Sequence, residues 1–173
     1  MREILFKAKQ KDWSDLPEES WWVEGYYAMM GKCNLIRHYI VQNCALTGLF
    51  EDPEENMYFN DVEIDPETLC QYTGLKDKNG NRIWENDIVS CEHEKYPDDN
   101  PSEVYPLLPE SIKYTRNYAV EFINTGSSYG YRLRNKSIHF MLTGNVIQNH
   151  KIEVVGNIFD NPELLKGERG CRD

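Results

Sequence analysis

"QYTGLKDKNGNRIWENDIV", residues 71–89, holds two turn-forming clusters around an apolar pair and almost nothing that does chemistry. Asn79-Gly80, set between Lys78 and Asn81, is the strongest short-range hairpin signal, because both residue types tolerate positive φ. Leu75 and Ile83 are therefore expected on two arms that meet across the turn, with Gly74 supplying a further flexible position. Glu85-Asn86-Asp87 reads as a second turn with Asn86 left-handed, after which Ile88-Val89 enters a buried strand. Asp87 reads as an acceptor for backbone N–H groups of that turn. Asp77, Asn79 and Asn81 alternate as in the first positions of a calcium loop. The glycine, however, falls fourth rather than sixth, and Ile88 stands where a bidentate carboxylate is required. The stretch is a folding device that shapes a compact antiparallel body.

Outward from it, strand signals dominate. "EILFKA" (3–8), "WWVEGYYAM" (21–29), "NLIRHYIVQ" (34–42), "RIWENDIVSC" (82–91), "YAVEFI" (118–123), "YGYRLRN" (129–135), "SIHFML" (137–142) and "KIEVVGNIF" (151–159) are rich in β-branched and aromatic residues. Gly, Asn, Asp or Pro separate them. The fold class is mainly β, all-β or α+β, with antiparallel sheets. Helix is confined to short turns at Asp52-Pro53, Asp65-Pro66 and Asn161-Pro162, where an Asx cap precedes a proline and then an acid. A weak amphipathic pattern adds a candidate helix at 107–117.

The chain of 173 residues divides, on this reading, into a small β-rich domain at 1–70, a second β domain at 71–165 and a flexible tail at 166–173. Residues 92–117 contain four of the eight prolines and read as an acidic loop inserted in the second domain. Its acids Asp98 and Asp99, with Tyr96, Tyr105 and Leu107 near them, suit a docking loop for a partner protein.

Charge refines this picture. The net charge is −10, yet residues 51–112 hold 17 acids against 4 bases, while 113–173 hold 9 bases against 6 acids. Such a field repels phosphate, so nucleic acid is a disfavoured partner and a cationic surface an attractive one. Five cysteines stand singly and in odd number, which fits reduced thiols and a cytoplasmic setting. Cys91-Glu92-His93 is the one close Cys/His pair and lacks the two further ligands of a structural zinc site, so no metal and no cofactor is expected. No stretch has the roughly 18 apolar residues of a membrane span, and the opening residues lack an apolar signal-peptide core.

Nucleophile and phosphate motifs are missing: there is no G-x-S-x-G, no Gly-rich phosphate loop and no H-E-x-x-H. The expectation is a protein that is not an enzyme. Two surfaces stand out instead. Arg132, Arg134 and Lys136 alternate along one strand, three cations on one face beside Tyr129 and Tyr131, a pattern of single-strand nucleic-acid platforms or of a head-to-tail contact with an acidic neighbour. Trp21-Trp22 places two indoles on opposite faces of a strand, so one of them should be covered by another element or subunit.

Together, "VEIDPETL", "QYTGLKDKNGNRIWENDIV" and "EVVGNIFDNPELL", with looser matches at "LFKAKQKD" and "WWVEGYY", resemble the signature of the YopX family. These are small proteins of phages, prophages and other mobile elements. Asn86 stands where that family usually has glycine. The resemblance implies an SH3-like antiparallel barrel in the C-terminal half and a tendency to form homo-oligomers. It implies no reaction. The expected role is an accessory binding or scaffold module, with an unknown host or phage protein as partner. The other function considered is a nucleic-acid-linked regulator or DNA-mimic inhibitor of a host protein.

Overall fold

The computed structural model describes residues 3–32, 35–46, 57–95, 111–127, 129–136 and 138–166. The expected docking acids Asp98 and Asp99, the turn at Asp52-Pro53 and all but the first residue of the tail lie outside the described residues. The chain forms two compact units, Met1–Gly74 and Leu75–Asp173. The division falls within a strand at Gly74, whose φ of 83° only glycine adopts freely, rather than at residue 70.

The first unit is an antiparallel sheet of β1 (Phe6–Lys9), β2 (Trp22–Lys32), β3 (Leu35–Leu46), β4 (Met57–Glu63) and β5 (Cys70–Lys76), in the order β4-β3-β2-β1-β5. Alternation sorts the side chains: Ala8, Val23, Ile40 and Ile64 are buried together, with Phe6, Tyr27, Val62 and Leu69 packed around them. The long β2–β3 pair runs in register from Tyr26↔Val41 to Lys32↔Leu35. Gly25 lets the strands come close, since a Cβ there would collide with the Val41 carbonyl and stand 3.0 Å from Ile40 Cγ2. At Asp65 the sequence signal becomes one 3-10 turn, Pro66–Thr68. There Asp65 Oδ1 accepts from the Glu67 N–H (3.1 Å), and the Thr68 hydroxyl accepts from the Lys9 N–H (2.8 Å).

The second unit is built on a five-stranded antiparallel sheet. It comprises β7 (Asp87–Lys95), β8 (Ile112–Asn124), β9 (Tyr129–Asn135), β10 (Ile138–Met141) and β11 (Glu153–Asn157), in the order β10-β9-β8-β7-β11. β6 (Arg82–Trp84) precedes it, and a helix, α1 (Gly144–Asn149), links β10 to β11. One sheet face carries Val89, Cys91, Tyr118, Val120, Tyr131 and Leu133, which meet Ile83, Leu142, Ile147 and Ile152 in a single core. The barrel is not closed. β10 ends after four residues and the chain turns into α1, so Leu142 and Ile147 cap the core where a closing strand would run.

Two readings of the middle segment are corrected. Residues 92–95 and 112–117 are not loop but the ends of β7 and β8, paired from Glu92↔Thr115 to Lys95↔Ile112. The helix expected at 107–117 is strand from Ile112 on, because cross-strand pairing outweighs a weak helical period. α1, in turn, carried no strong sequence signal: it is six residues long, capped by the Thr143 hydroxyl on the Val146 N–H (3.3 Å), with Ile147 its one buried residue.

The hairpin of the opening stretch is organised by a carboxylate rather than by a two-residue turn. Only Gly80 has positive φ (87°), and the loop closes by Asp77 N–H to Asn81 O at 2.9 Å. Asp77 Oδ1 accepts from the N–H groups of Asn79 (2.8 Å) and Asn81 (2.9 Å). Its Oδ2 accepts from the Asn81 amide (3.2 Å) and from the Val154 N–H of β11 (3.1 Å). Burial acts to raise the Asp77 pKa, but these donors outweigh it and hold the carboxyl below its ordinary value. Asn86 takes the left-handed conformation (φ 66°), donating to Val120 O and accepting from Ile158 N–H, while Asp87 accepts from the Trp84 N–H (2.7 Å).

Candidate functional site

In the second unit the cationic stripe is not a free platform. The β8–β9 register sets Glu121 opposite Arg132, and its carboxylate takes Arg132 Nε and Nη2 at 2.7 Å each and Arg134 Nη1 at 3.1 Å. Burial tends to raise the Glu121 pKa, but the two guanidinium groups more than reverse that and lower it. Lys136 lies past the end of β9 with φ 49°, so it is a turn residue and not a third cation on the strand face. Tyr131 is buried and Tyr129 points to the face opposite the arginines, so cations and rings do not share a surface.

An aromatic and imidazole cluster lies at the end of the same core. His93 Nε2 is 3.0 Å from the Tyr118 hydroxyl and its ring stacks on Tyr114 at 5.3 Å. The His150 ring is 5.0 Å away, and His150 Nδ1 donates to the Glu92 carbonyl (2.9 Å). Burial, then His150 and Arg116, push the His93 pKa down. Cys91 is fully buried in the apolar core, which pushes its thiol up to about 12, so it is not a thiolate nucleophile at neutral pH. Among the described residues, no three His, Cys, Asp or Glu side chains converge as a metal site.

The first unit holds the more distinctive geometry. β1 projects Lys7 and Lys9 toward β2, where Lys9 faces Trp22 in register. Lys9 is 1% exposed, with Nζ 3.4 Å from the Trp13 ring centroid and 4.4 Å from that of Trp21, while Lys7 Nζ lies 5.1 Å from Trp22. Trp13 and Trp21 meet edge to face at 4.8 Å, and Trp21 Nε1 donates to the Leu16 carbonyl (2.9 Å). Both indoles of the Trp21-Trp22 pair are half-buried, and what covers them is the chain's own lysines and Trp13. The box fixes residues 11–21 against the sheet.

That segment forms one wall of a cleft of about 580 Å³, formed by Lys11 to Ser14, by Ile36, Arg37 and His38 of β3, and by Glu63 to Pro66. Lys11 Nζ is 3.0 Å and Arg37 Nη1 3.8 Å from the Glu63 carboxylate, and the Tyr27 hydroxyl lies 2.6 Å from His38 Nδ1. Beyond the core, the β2–β3 hairpin exposes Tyr26 (59%) and Met30 (43%) on one face, Met29 (62%) and Ile36 (60%) on the other. Composition alone could not point to the cleft, since its walls come from three separated segments. The exposed methionines were visible in "YYAMMG" but carried no phase until the strand was placed.

Element order and pairing thus define a mainly β protein of two antiparallel sheets. The family described as YopX protein matches residues 18–166, and the chain belongs to that family. Its fold is similar to the crystal structure of protein EF1440 from Enterococcus faecalis, with a TM-score of 0.54 and 19% identity over 95% of this chain and 99% of that one. No curated protein matches the chain.

Proposed function

We propose that the chain is a non-catalytic, self-associating binding module, encoded by a phage or integrated mobile element and acting in the cytoplasm of the host on a host or phage protein. Within it, the second unit is an opened variant of an SH3-like barrel. One observation carries the reading: the β2–β3 hairpin leaves Met29 and Met30 in water on its two faces, beyond the pairing with β4, and Tyr26 exposed on the same face as Met30. A ribbon apolar on both sides has no face to bury within its own unit, and burying it against a like surface removes the apolar area from water. Residues 22–46 carry only Glu24, Lys32 and Arg37 as charges, so two copies of the hairpin meet without the repulsion of a chain of net charge −10. A two-fold pairing of one patch with itself is the commonest way such a surface closes.

Light scattering with size-exclusion chromatography tests this. The wild type should elute at a multiple of 20.3 kDa and the Tyr26→Ser/Met29→Ser/Met30→Ser variant at 20.3 kDa with an unchanged circular dichroism spectrum. A wild type of 20.3 kDa at high micromolar concentration would refute it.

A further inference from the structure

Asn79 is the only asparagine of the chain that precedes a glycine. Such a pair is chemically labile as well as turn-forming. The glycine nitrogen can attack the asparagine side-chain carbon, forming a five-membered imide and expelling ammonia. Water then opens the ring to aspartate, or to isoaspartate, whose backbone runs through the side chain. Glycine favours the attack because no Cβ hinders the approach of its nitrogen. Asn79 and Gly80 are both exposed, and a Cβ on Gly80 would meet no atom within 4 Å, so the site is open to water.

The turn nevertheless holds both nitrogen atoms that the reaction uses. The Gly80 N–H donates to the Asp77 carbonyl at 3.1 Å, and the Asn79 side-chain amide, which carries the leaving nitrogen, donates to Glu153 Oε1 at 3.1 Å. Cyclisation requires the first to be freed so that it can lose its proton. It also requires the Asn79 side chain to swing away from β11 toward its own backbone. Asp77 opposes both, since its Oδ1 takes the N–H groups of Asn79 (2.8 Å) and Asn81 (2.9 Å) and its N–H closes the loop on Asn81 O (2.9 Å). Glu153 is itself fixed by Lys78 (2.6 Å) and starts β11 opposite Ser90. A loop that must open before it reacts is modified at a rate set by the fraction of time it spends open.

We propose that Asn79 is the chain's site of spontaneous covalent modification, through imide formation with Gly80, and that Asp77 is the positioning residue that holds its rate down. The bond that forms joins Gly80 N to Asn79 Cγ, the bond that breaks is Cγ–Nδ2, and the proton of Gly80 N leaves with the ammonia. Ring opening consumes one water. The product sets a carboxylate where an amide donor faced Glu153, so an attraction to β11 becomes a repulsion between like charges. The inference is independent of self-association, which uses the other unit.

Mass-spectrometric peptide mapping after incubation in mildly alkaline buffer tests it, with a synthetic peptide of residues 71–89 as the unrestrained reference. In the folded full-length protein Asn79 should convert at least about tenfold more slowly than in the peptide, yet before any other asparagine, each of which precedes a residue with a Cβ. Asp77→Ala should bring the rate to within about threefold of the peptide's, and Glu153→Ala, which frees the leaving amide alone, should raise it less. Gly25→Ala, a loss of stability in the other unit, should keep the wild-type rate, which separates opening of the turn from general unfolding. If Asp77→Ala proves unfolded by circular dichroism, wild type against peptide and Glu153→Ala against wild type decide, an unaccelerated Glu153→Ala then counting as refutation. Wild-type Asn79 converting as fast as the peptide, another asparagine converting first, a folded Asp77→Ala as slow as wild type, or equal acceleration by Gly25→Ala overturns the proposal.

Discussion

Replacing Asp77 by alanine removes the acceptor around which the 77–81 turn and the start of β11 are arranged. Four hydrogen bonds go: two from the Asn79 and Asn81 N–H groups, one from the Asn81 amide and one from the Val154 N–H. Asn79 and Asn81 are exposed, so their donors return to water at little cost, whereas the half-buried Val154 N–H is left without its acceptor. A charge-assisted bond is worth roughly 1.5–3 kcal/mol and a stranded donor costs about 1–3 kcal/mol, so the loss should be about 3 kcal/mol after allowing for relaxation. For a chain of this size that is a fall in Tm of about 6–12 °C. The carboxyl is held below its ordinary value of 3.8, so its stabilisation is complete above about pH 4 and is lost as pH falls through the folded-state value. Urea unfolding followed by circular dichroism at pH 7 and again below pH 3 measures both. A loss under 0.5 kcal/mol at pH 7, or one that persists undiminished in acid, would refute the reasoning.

Four further outcomes follow from the same geometry. Gly25→Ala should destabilise by about 1–3 kcal/mol through forced separation of β2 and β3, read as a lower urea midpoint; an unchanged midpoint contradicts the close approach. Lys9→Met keeps the stem but removes the ammonium from the Trp13–Trp21 box, so it should cost about 1–2 kcal/mol and shift tryptophan fluorescence. His93 has its pKa lowered by burial, His150 and Arg116, so the unfolded chain takes up the proton first. Stability should therefore be full above about pH 6.5 and decline as pH drops below it, with a smaller decline in His93→Gln. Glu121→Gln should cost no more than about 1 kcal/mol, the scale of a partly exposed ion pair, and should free Arg132 and Arg134, measurable as stronger retention on a heparin column.

Much of the architecture is legible in local sequence. Alternation in "YGYRLRN" marks β9, Asn79-Gly80 marks a reversal, and Asn86 marks a left-handed bend, because each is a property of two to seven consecutive residues. What depends on pairing across the chain is not legible. The three cations of "RLRNK" looked like one surface until the register brought Glu121 between two of them. The acidic stretch after Cys91 hides strand ends, since Glu92 and Glu94 point outward and pair with Lys151 and Lys113. α1 has two apolar residues and no acid in its first turn, too little for a period to show. Lys9 is a surface residue type that becomes core only because Trp13, Trp21 and Trp22 close over it. The cleft beside Trp13 and Ile36 is the most remote from sequence, for three separated segments supply its walls.

The central claim is that copies of this chain meet through the exposed hairpin, and methionine oxidation footprinting at low and high protein concentration addresses it residue by residue. Met29 and Met30 should oxidise readily when dilute and become protected when concentrated, while Met141, 38% exposed in the other unit, should react alike at both. Equal oxidation of Met29 and Met30 across the concentration range would contradict the account.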